Sequence, residues 1–211
     1  MAAALDAVGF QNVKLDLSRG TVGLAHRSSR IDLGGIGVGL ALDRAAAALR
    51  SMGVESALIN HSGDILALGA PPGSEGWEVG IQDPEDPEGT IASFSLRDRS
   101  VSTSGNYENF IGSGGRRIGH IFDPVTGRPP SRYLSVSVMA GSSLSADALS
   151  TGFFTGGIAL AAAAPSPAGS ISAFAVRGEA PAGGGTRTET EYHERVGETP
   201  RSGGRGAGRD G

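Results

Sequence analysis

The chain has no cysteine and almost no lysine. Without cysteine there are no disulfides, no thiolate metal sites, no thiol nucleophile and no lipid-modified cysteine anchor. Lys14 is the only lysine among 18 basic residues, a bias that reads as genome composition. Acidic residues number 22 and the net charge is −4, so no basic field favours nucleic acid. No apolar run is long enough to span a bilayer, so no direct membrane insertion is expected. The opening MAAALDAVGFQNVKLDLS lacks the basic start and apolar stretch of an export signal, so the chain as written is expected to stay where it is made, in the cytoplasm. Apolar residues are scarce at 38%, whereas glycine is abundant at 35 of 211 residues. The length suits one domain with a core, and the glycine excess implies that part of the chain is not packed core.

What is present alternates mostly at strand period. Residues 10–25 hold NVKLDL and TVGLA around the turn Ser18-Arg19-Gly20, a hairpin pattern. RIDLGGIGVG then runs into GLALDRAAAALRSMG, where Leu40, Arg44 and Ala47 or Ala48 recur at helical spacing and Gly53 stands at a C-cap position. VESALIN (54–60) and ILALG read as strands around the turn His61-Ser62-Gly63-Asp64. GWEVGIQDP (76–84), TIASFSLRD, SVSTSG and YLSVSVMAG (133–141) read as further strands. SADALSTGFFTGGIALAAAA (145–164) predicts a second helix, and GSISAFAV (169–176) a last strand. Residues 178–211 hold ten glycines, many charges and little that is apolar beyond Tyr192 and Val196. The expectation is one domain over 1–176 and a disordered tail over 177–211, because such a segment cannot offset its ordering entropy. The element order predicts an α+β fold with a mostly antiparallel sheet and two main helices.

Four segments carry candidate chemistry. Asp32-Leu33-Gly34-Gly35-Ile36-Gly37-Val38-Gly39 precedes a helix, where bare backbone N–H groups and the helix dipole suit phosphate; glycine there equally serves close helix packing. Asp147 and Thr151 stand four residues apart on the second helix and face the same way. One carboxylate and one hydroxyl make a partial shell for Mg²⁺, or simply an exposed polar pair. Ser102-Thr103-Ser104-Gly105-Asn106-Tyr107 follows a strand and suits either nucleotide hydrogen bonds or a turn. GHIFDPVTGRPP (119–130) contains a turn at Asp123-Pro124-Val125-Thr126-Gly127, with His120 upstream in the strand GHIFD, on the face of Phe122.

The joint order of these segments resembles the ApbE family of FAD:protein FMN transferases. DLGGIGVG, TSGNY, HIFDPVTGRP and ADALST carry the resemblance, with ALINHSGDILALG and GWEVGIQDP in support, over about residues 10–160. The resemblance implies an ApbE-like, T-fold-like core. It implies Mg²⁺-dependent cleavage of the FAD pyrophosphate, transfer of FMN to a threonine hydroxyl of a target flavoprotein and release of AMP. Targets in the family belong to the class of respiratory redox complex subunits, at the outer face of the bacterial inner membrane. By similarity, the metal ligands would be Asp147, Thr151 and the carbonyl of Gly35. Asp32 and Gly34 would contact FAD, and Ser104 would bond the flavin nucleotide. His120 would contact it too and take the acceptor's proton, a task suited to histidine. Asp123 and Thr126 would set the turn that aims His120. The pattern departs at Val38, where many members carry Lys or Glu, and at Ser62, where the family has glycine. Members are longer at the N-terminus, so the chain is expected to hold part of the domain. With the same residues, water in place of the threonine would make the chain an FAD pyrophosphatase, and an incomplete cleft would leave a non-catalytic flavin-binding fragment.

Overall fold

The computed structural model describes residues 2–105, 110–113, 116–163, 170–179 and 187–194. A one-turn helix α1 (Ala2–Leu5) precedes the hairpin β1 (Val13–Asp16) and β2 (Thr21–Leu24). Asp16 closes that turn by accepting from the amides of Ser18 and Arg19, and Gly20 has φ 63°. Helix α2 (Gly37–Ser51) follows, and Gly53 ends it with φ 83°. Its buried stripe is Gly39, Leu42 and Ala46, not the Leu40–Arg44 register read from the sequence; Leu40 is 46% exposed. The small residues choose the inward face, because they let α2 approach its neighbours closely.

Strands β3 (Ala57–His61), β4 (Asp64–Leu68), β5 (Trp77–Gln82), β6 (Thr90–Leu96) and β7 (Arg99–Gly105) come next. Two short strands, β8 (Phe110–Ser113) and β9 (Arg116–Gly119), form a hairpin. Then come β10 (Ser135–Ala140), helix α3 (Ser143–Gly156), a 3-10 segment Ile158–Ala163, β11 (Ser172–Glu179) and β12 (Arg187–Glu194). The second helix therefore ends at Gly156 rather than continuing to 164, because Gly157 takes φ 102° and breaks the α-helical ladder.

The expected α+β architecture is what forms. One six-stranded sheet runs β12-β11-β10-β7-β4-β3, with every neighbouring pair antiparallel. The hairpin β5–β6 covers one face through Val79, Ile81, Phe94 and Leu96, which pack on Val101, Met139, Phe174 and Val176. Helices α2 and α3 cover the other. There Phe153, Phe154 and Ile158 pack on Val136, Val138 and Ala173, while Leu42 and Ala46 pack on Leu66 and Leu68. Period-two alternation assigns each strand residue to one of these cores.

The tail expectation is corrected over 187–194. Those residues pair with β11 from Ser172↔Glu194 to Glu179↔Arg187. The open edge of β11 supplies a backbone ladder that composition does not reveal. Arg177 forks onto Glu191 across the pair, and Tyr192 packs against the β5–β6 core. Residues 195–211 lie outside the described ones. Among the described residues, no helix is long and apolar enough to cross a membrane.

Candidate active site

Helix α3 lies on β7 through hydroxyls instead of hydrocarbon. Ser100, Ser102 and Ser104 share one face of β7, by its period of two, and all three are buried. Ser143 donates to Ser100 at 2.8 Å, Ser102 meets Ser150 at 3.3 Å, and Ser104 meets Ser150 at 2.8 Å and Thr151 at 3.1 Å. Each hydroxyl finds a partner, so this polar seam can be buried. It fixes the rotation of α3, and with it the direction of Asp147 and Thr151.

Helix α2 meets α3 at its first turn. The residue ahead of α2, Ile36, offers no capping side chain; instead the Gly39 N–H donates to Asp147 Oδ2 at 2.9 Å. A side chain at Gly39 would collide with the Ser143 carbonyl and lie 2.8 Å from the Asp147 Cβ, so only glycine permits this approach. Gly35 also lies near α3, though less tightly: a Cβ there would lie 3.3 Å from Thr151 Oγ1. The glycine run thus packs tightly on α3 and also bares backbone beside its polar residues.

These elements open a cleft of about 690 Å³. Asp32, Gly34 and Gly35 enter it ahead of α2, Ser104 from β7, and Asp147 and Thr151 from α3. His120 also lines it, with Ile121 and Phe122. Regions around positions 35, 120 and 150 therefore share one cavity. Asp32 spends one carboxylate oxygen on the Gly34 N–H, at 2.7 Å, which shapes the glycine turn. Ser104, expected at the flavin nucleotide, reaches the cleft with its hydroxyl already shared between Ser150 and Thr151.

His120 corrects a sequence expectation. Strand β9 stops at Gly119 and His120 sits in a bend, exposed, instead of sharing a strand face with Phe122. The following turn forms as its residues require. Asp123 accepts from the Val125 N–H at 2.8 Å, Gly127 N–H returns to the Asp123 carbonyl at 2.8 Å, and Gly127 has φ 66°. Backbone donors from Val125 and Thr126 hold the Asp123 carboxyl below the ordinary aspartate range. Asn106 and Tyr107 lie outside the described residues.

The structure adds a carboxylate that the sequence reading left inside a turn. Asp64 opens β4, two residues before Leu66, and so faces the α3 side of the sheet, in the cleft. Burial pushes its carboxyl up and the charge of Asp147 pushes it further, against hydrogen bonding from Ser102 and attraction from His61. Burial also raises Asp147, opposed by the Gly39 N–H. The period of the adjoining ILAL strand was the available signal for Asp64.

Oxygen donors of the kind a hard cation takes line the cleft in the Asp147 carboxylate and the Thr151 hydroxyl, with the Gly35 backbone beside Thr151. Among the described residues, no cluster of three or more His, Cys, Asp or Glu side chains is placed to hold a metal ion.

The ApbE family profile matches residues 1–174. An FAD:protein FMN transferase of Rhodobacter capsulatus is 38% identical over 144 residues, or 68% of this chain and 27% of that protein. One from Treponema pallidum is 40% identical over 144 residues, covering 64% of this chain and 40% of that one. The crystal structure of the ApbE protein of Thermotoga maritima superposes with a TM-score of 0.72 at 31% identity, over 88% of this chain and 59% of its own. The apo flavinyl transferase ApbE of Pseudomonas stutzeri gives 0.69 at 31% identity, over 90% of this chain and 57% of its own. The chain thus spans well under half the length of those two curated relatives. With a family profile matched over residues 1–174 and a shared fold, the chain belongs to the ApbE family.

Proposed function

We propose that this chain carries the catalytic cleft of an FAD:protein FMN transferase, which moves FMN from FAD to a threonine hydroxyl of a target flavoprotein in the presence of Mg²⁺. The observation that carries the reading is the shared cavity, lined by Gly35, His120, Asp147 and Thr151. Phosphoryl-type transfer asks a protein chiefly for alignment and charge neutralisation. Asp147 and Thr151 on α3, with the Gly35 carbonyl, would hold the cation. When bound, Mg²⁺ supplies charge neutralisation at the pyrophosphate. Asp32 and Gly34 would contact FAD beside the first turn of α2, where the helix dipole favours anions. Ser104 would lie at the flavin nucleotide.

His120 would accept the threonine proton as the hydroxyl oxygen bonds to the FMN phosphorus. The anhydride bond breaks, and AMP departs with the bridging oxygen. The exposure of His120 supports a second reading, because water has access to the same base. Water as acceptor would yield free FMN and AMP. The acceptor class is that of flavin-bearing subunits of respiratory redox complexes.

Incubation with FAD and Mg²⁺, with and without a threonine-bearing acceptor domain, separates the readings. Flavin fluorescence on the denatured acceptor, lost on replacing its threonine with valine, supports transfer. FMN and AMP formed without the acceptor support hydrolysis. Neither product, with no FAD bound, sinks both.

A further inference from the structure

Helices α2 and α3 cap one another. Four amides open α3, and every one has a partner. Ser145 N–H donates to the Ser142 hydroxyl at 3.2 Å, and Ala146 N–H to the Ser142 carbonyl at 3.1 Å. The other two leave the local chain. Ser143 N–H donates to Asp43 Oδ1 at 2.7 Å and Leu144 N–H to Asp43 Oδ2 at 3.0 Å. Asp43 belongs to α2, a hundred residues earlier. In return, Asp147 of α3 accepts from Gly39 in the first turn of α2.

The two contacts are one helical turn apart on both partners. Gly39 and Asp43 stand at i and i+4 on α2; Ser143 and Asp147 stand at i and i+4 on α3. Such residues share a face. Each carboxylate meets the positive end of the opposing helix. The bare backbone at Gly39 brings the helices close enough for both contacts to close together. Two points of attachment fix translation and rotation of α3 on α2, which one would not.

We infer that Asp43 is a positioning residue: by gripping the first two amides of α3 it sets where the Asp147 carboxylate stands relative to Gly35 and the cleft. Asp43 is absent from the residues lining the cleft, so it acts through Asp147. The inference rests on the reading of Asp147 as a cation ligand. Its mechanical half does not, because the Gly39–Asp147 hydrogen bond exists without a cation.

The test compares the unsubstituted chain with Asp43→Asn, Asp43→Ala, Asp147→Ala and Val176→Ala. Val176 is buried in the opposite core, so its truncation lowers stability without touching the clamp. Two quantities are read: Mn²⁺ binding by electron paramagnetic resonance, with Mg²⁺ as competitor, and hydrogen exchange of the Gly39 amide by NMR. Both Asp43 variants are expected to weaken cation binding about 10- to 100-fold and to speed Gly39 exchange. Val176→Ala is expected to change neither locally, though it melts earlier. Asp43→Asn keeps shape and volume, so its fold survives if that of Asp43→Ala does not. Where transfer activity is present, excess Mg²⁺ should restore turnover in the Asp43 variants, which a loss of folded protein would not allow. Unchanged Mn²⁺ affinity and unchanged Gly39 exchange in Asp43→Asn and Asp43→Ala overturn the inference. If the unsubstituted chain binds no Mn²⁺, or Asp147→Ala binds it equally well, the cation reading fails; Gly39 exchange then still decides whether Asp43 holds Asp147.

Discussion

At the scale of single residues, the cleft concentrates carboxylates whose burial is unfavourable. Asp64 and Asp147 both sit above the ordinary aspartate range, chiefly because burial penalises their charge. A raised carboxyl binds protons more readily in the folded chain than in the unfolded one. Its stabilising effect is therefore present at low pH and fades as pH rises through the folded value. At neutral pH these groups weigh on the fold. Replacing Asp64 with Asn should raise the melting temperature at pH 7, and the gain should shrink toward pH ~4, near the ordinary carboxylate pKa. Thermal unfolding at the two pH values checks this; equal gains at both would mean that charge is not the cause. His120 behaves differently, being exposed and outside the core. His120→Ala should leave the melting temperature near its starting value and lower transfer by about 10² to 10⁴, read as acceptor fluorescence per minute. A residual rate close to the starting one would remove it as the base. Both residues were partly legible. His120 was a candidate only through the resemblance to the family, and its bend was not legible, because GHIF alternates like a strand and only the neighbouring turn ends it. Asp64 looked like turn material, since Ser62-Gly63 before it does bend the chain, with Ser62 at φ 51° and Gly63 at φ 93°.

At the scale of elements, α2, α3 and β7 form the scaffold that aims the polar groups. The glycine run at the start of α2 was open to two readings, phosphate contact or close packing. The structure shows close packing at Gly39, where a side chain would enter the space of Ser143 and Asp147. Gly34 and Gly35 lie in the cleft itself. One motif therefore holds glycines with separate duties. Gly39→Ala should force α2 and α3 apart and cost about 1–3 kcal/mol as overpacking, measured by urea unfolding. The same exchange at Gly152, which has open space around it, should be harmless or slightly stabilising by helix propensity. Equal costs at the two positions would contradict the packing account. Strand β12 is the instructive miss. Its residues include Thr188, Thr190 and Tyr192 at period two, but only one is a large apolar group. A local estimate of burial finds nothing to offset entropy, whereas pairing with β11 supplies the hydrogen bonds.

At the scale of the whole molecule, one antiparallel sheet is covered on both faces, and both covers contribute to the cleft, β5 through Val79–Gln82. The β5–β6 hairpin covers one face, where its Phe94 meets Phe174 of β11 edge to face at 6.2 Å. The helices occupy the other face and bring Asp147 and Thr151 to the cleft. A ligand spanning both helices should tighten the entire unit by mass action. At a hundredfold excess over Kd, bound FAD and Mg²⁺ should add about 2.7 kcal/mol of stability, seen as a rise in melting temperature that disappears in Asp147→Ala. No rise for the unsubstituted chain across the accessible range of FAD would argue against a binding cleft. The sequence by itself determined what is local. Alternation placed most strands, turn chemistry placed Gly20, Gly53 and Asp123, and residue types in order pointed to the family and its cleft. Only the tertiary structure decided which of these local signals meet. The contact between Gly39 and Asp147 joins residues 108 positions apart, and that between Asp43 and Ser143 joins residues 100 apart. Periodicity and turn preference act over a few residues, so no local pattern encodes such a contact. Which helix faces which, and which carboxylate reaches the cleft, follows from burying the apolar faces and pairing the polar seam of α3 at once.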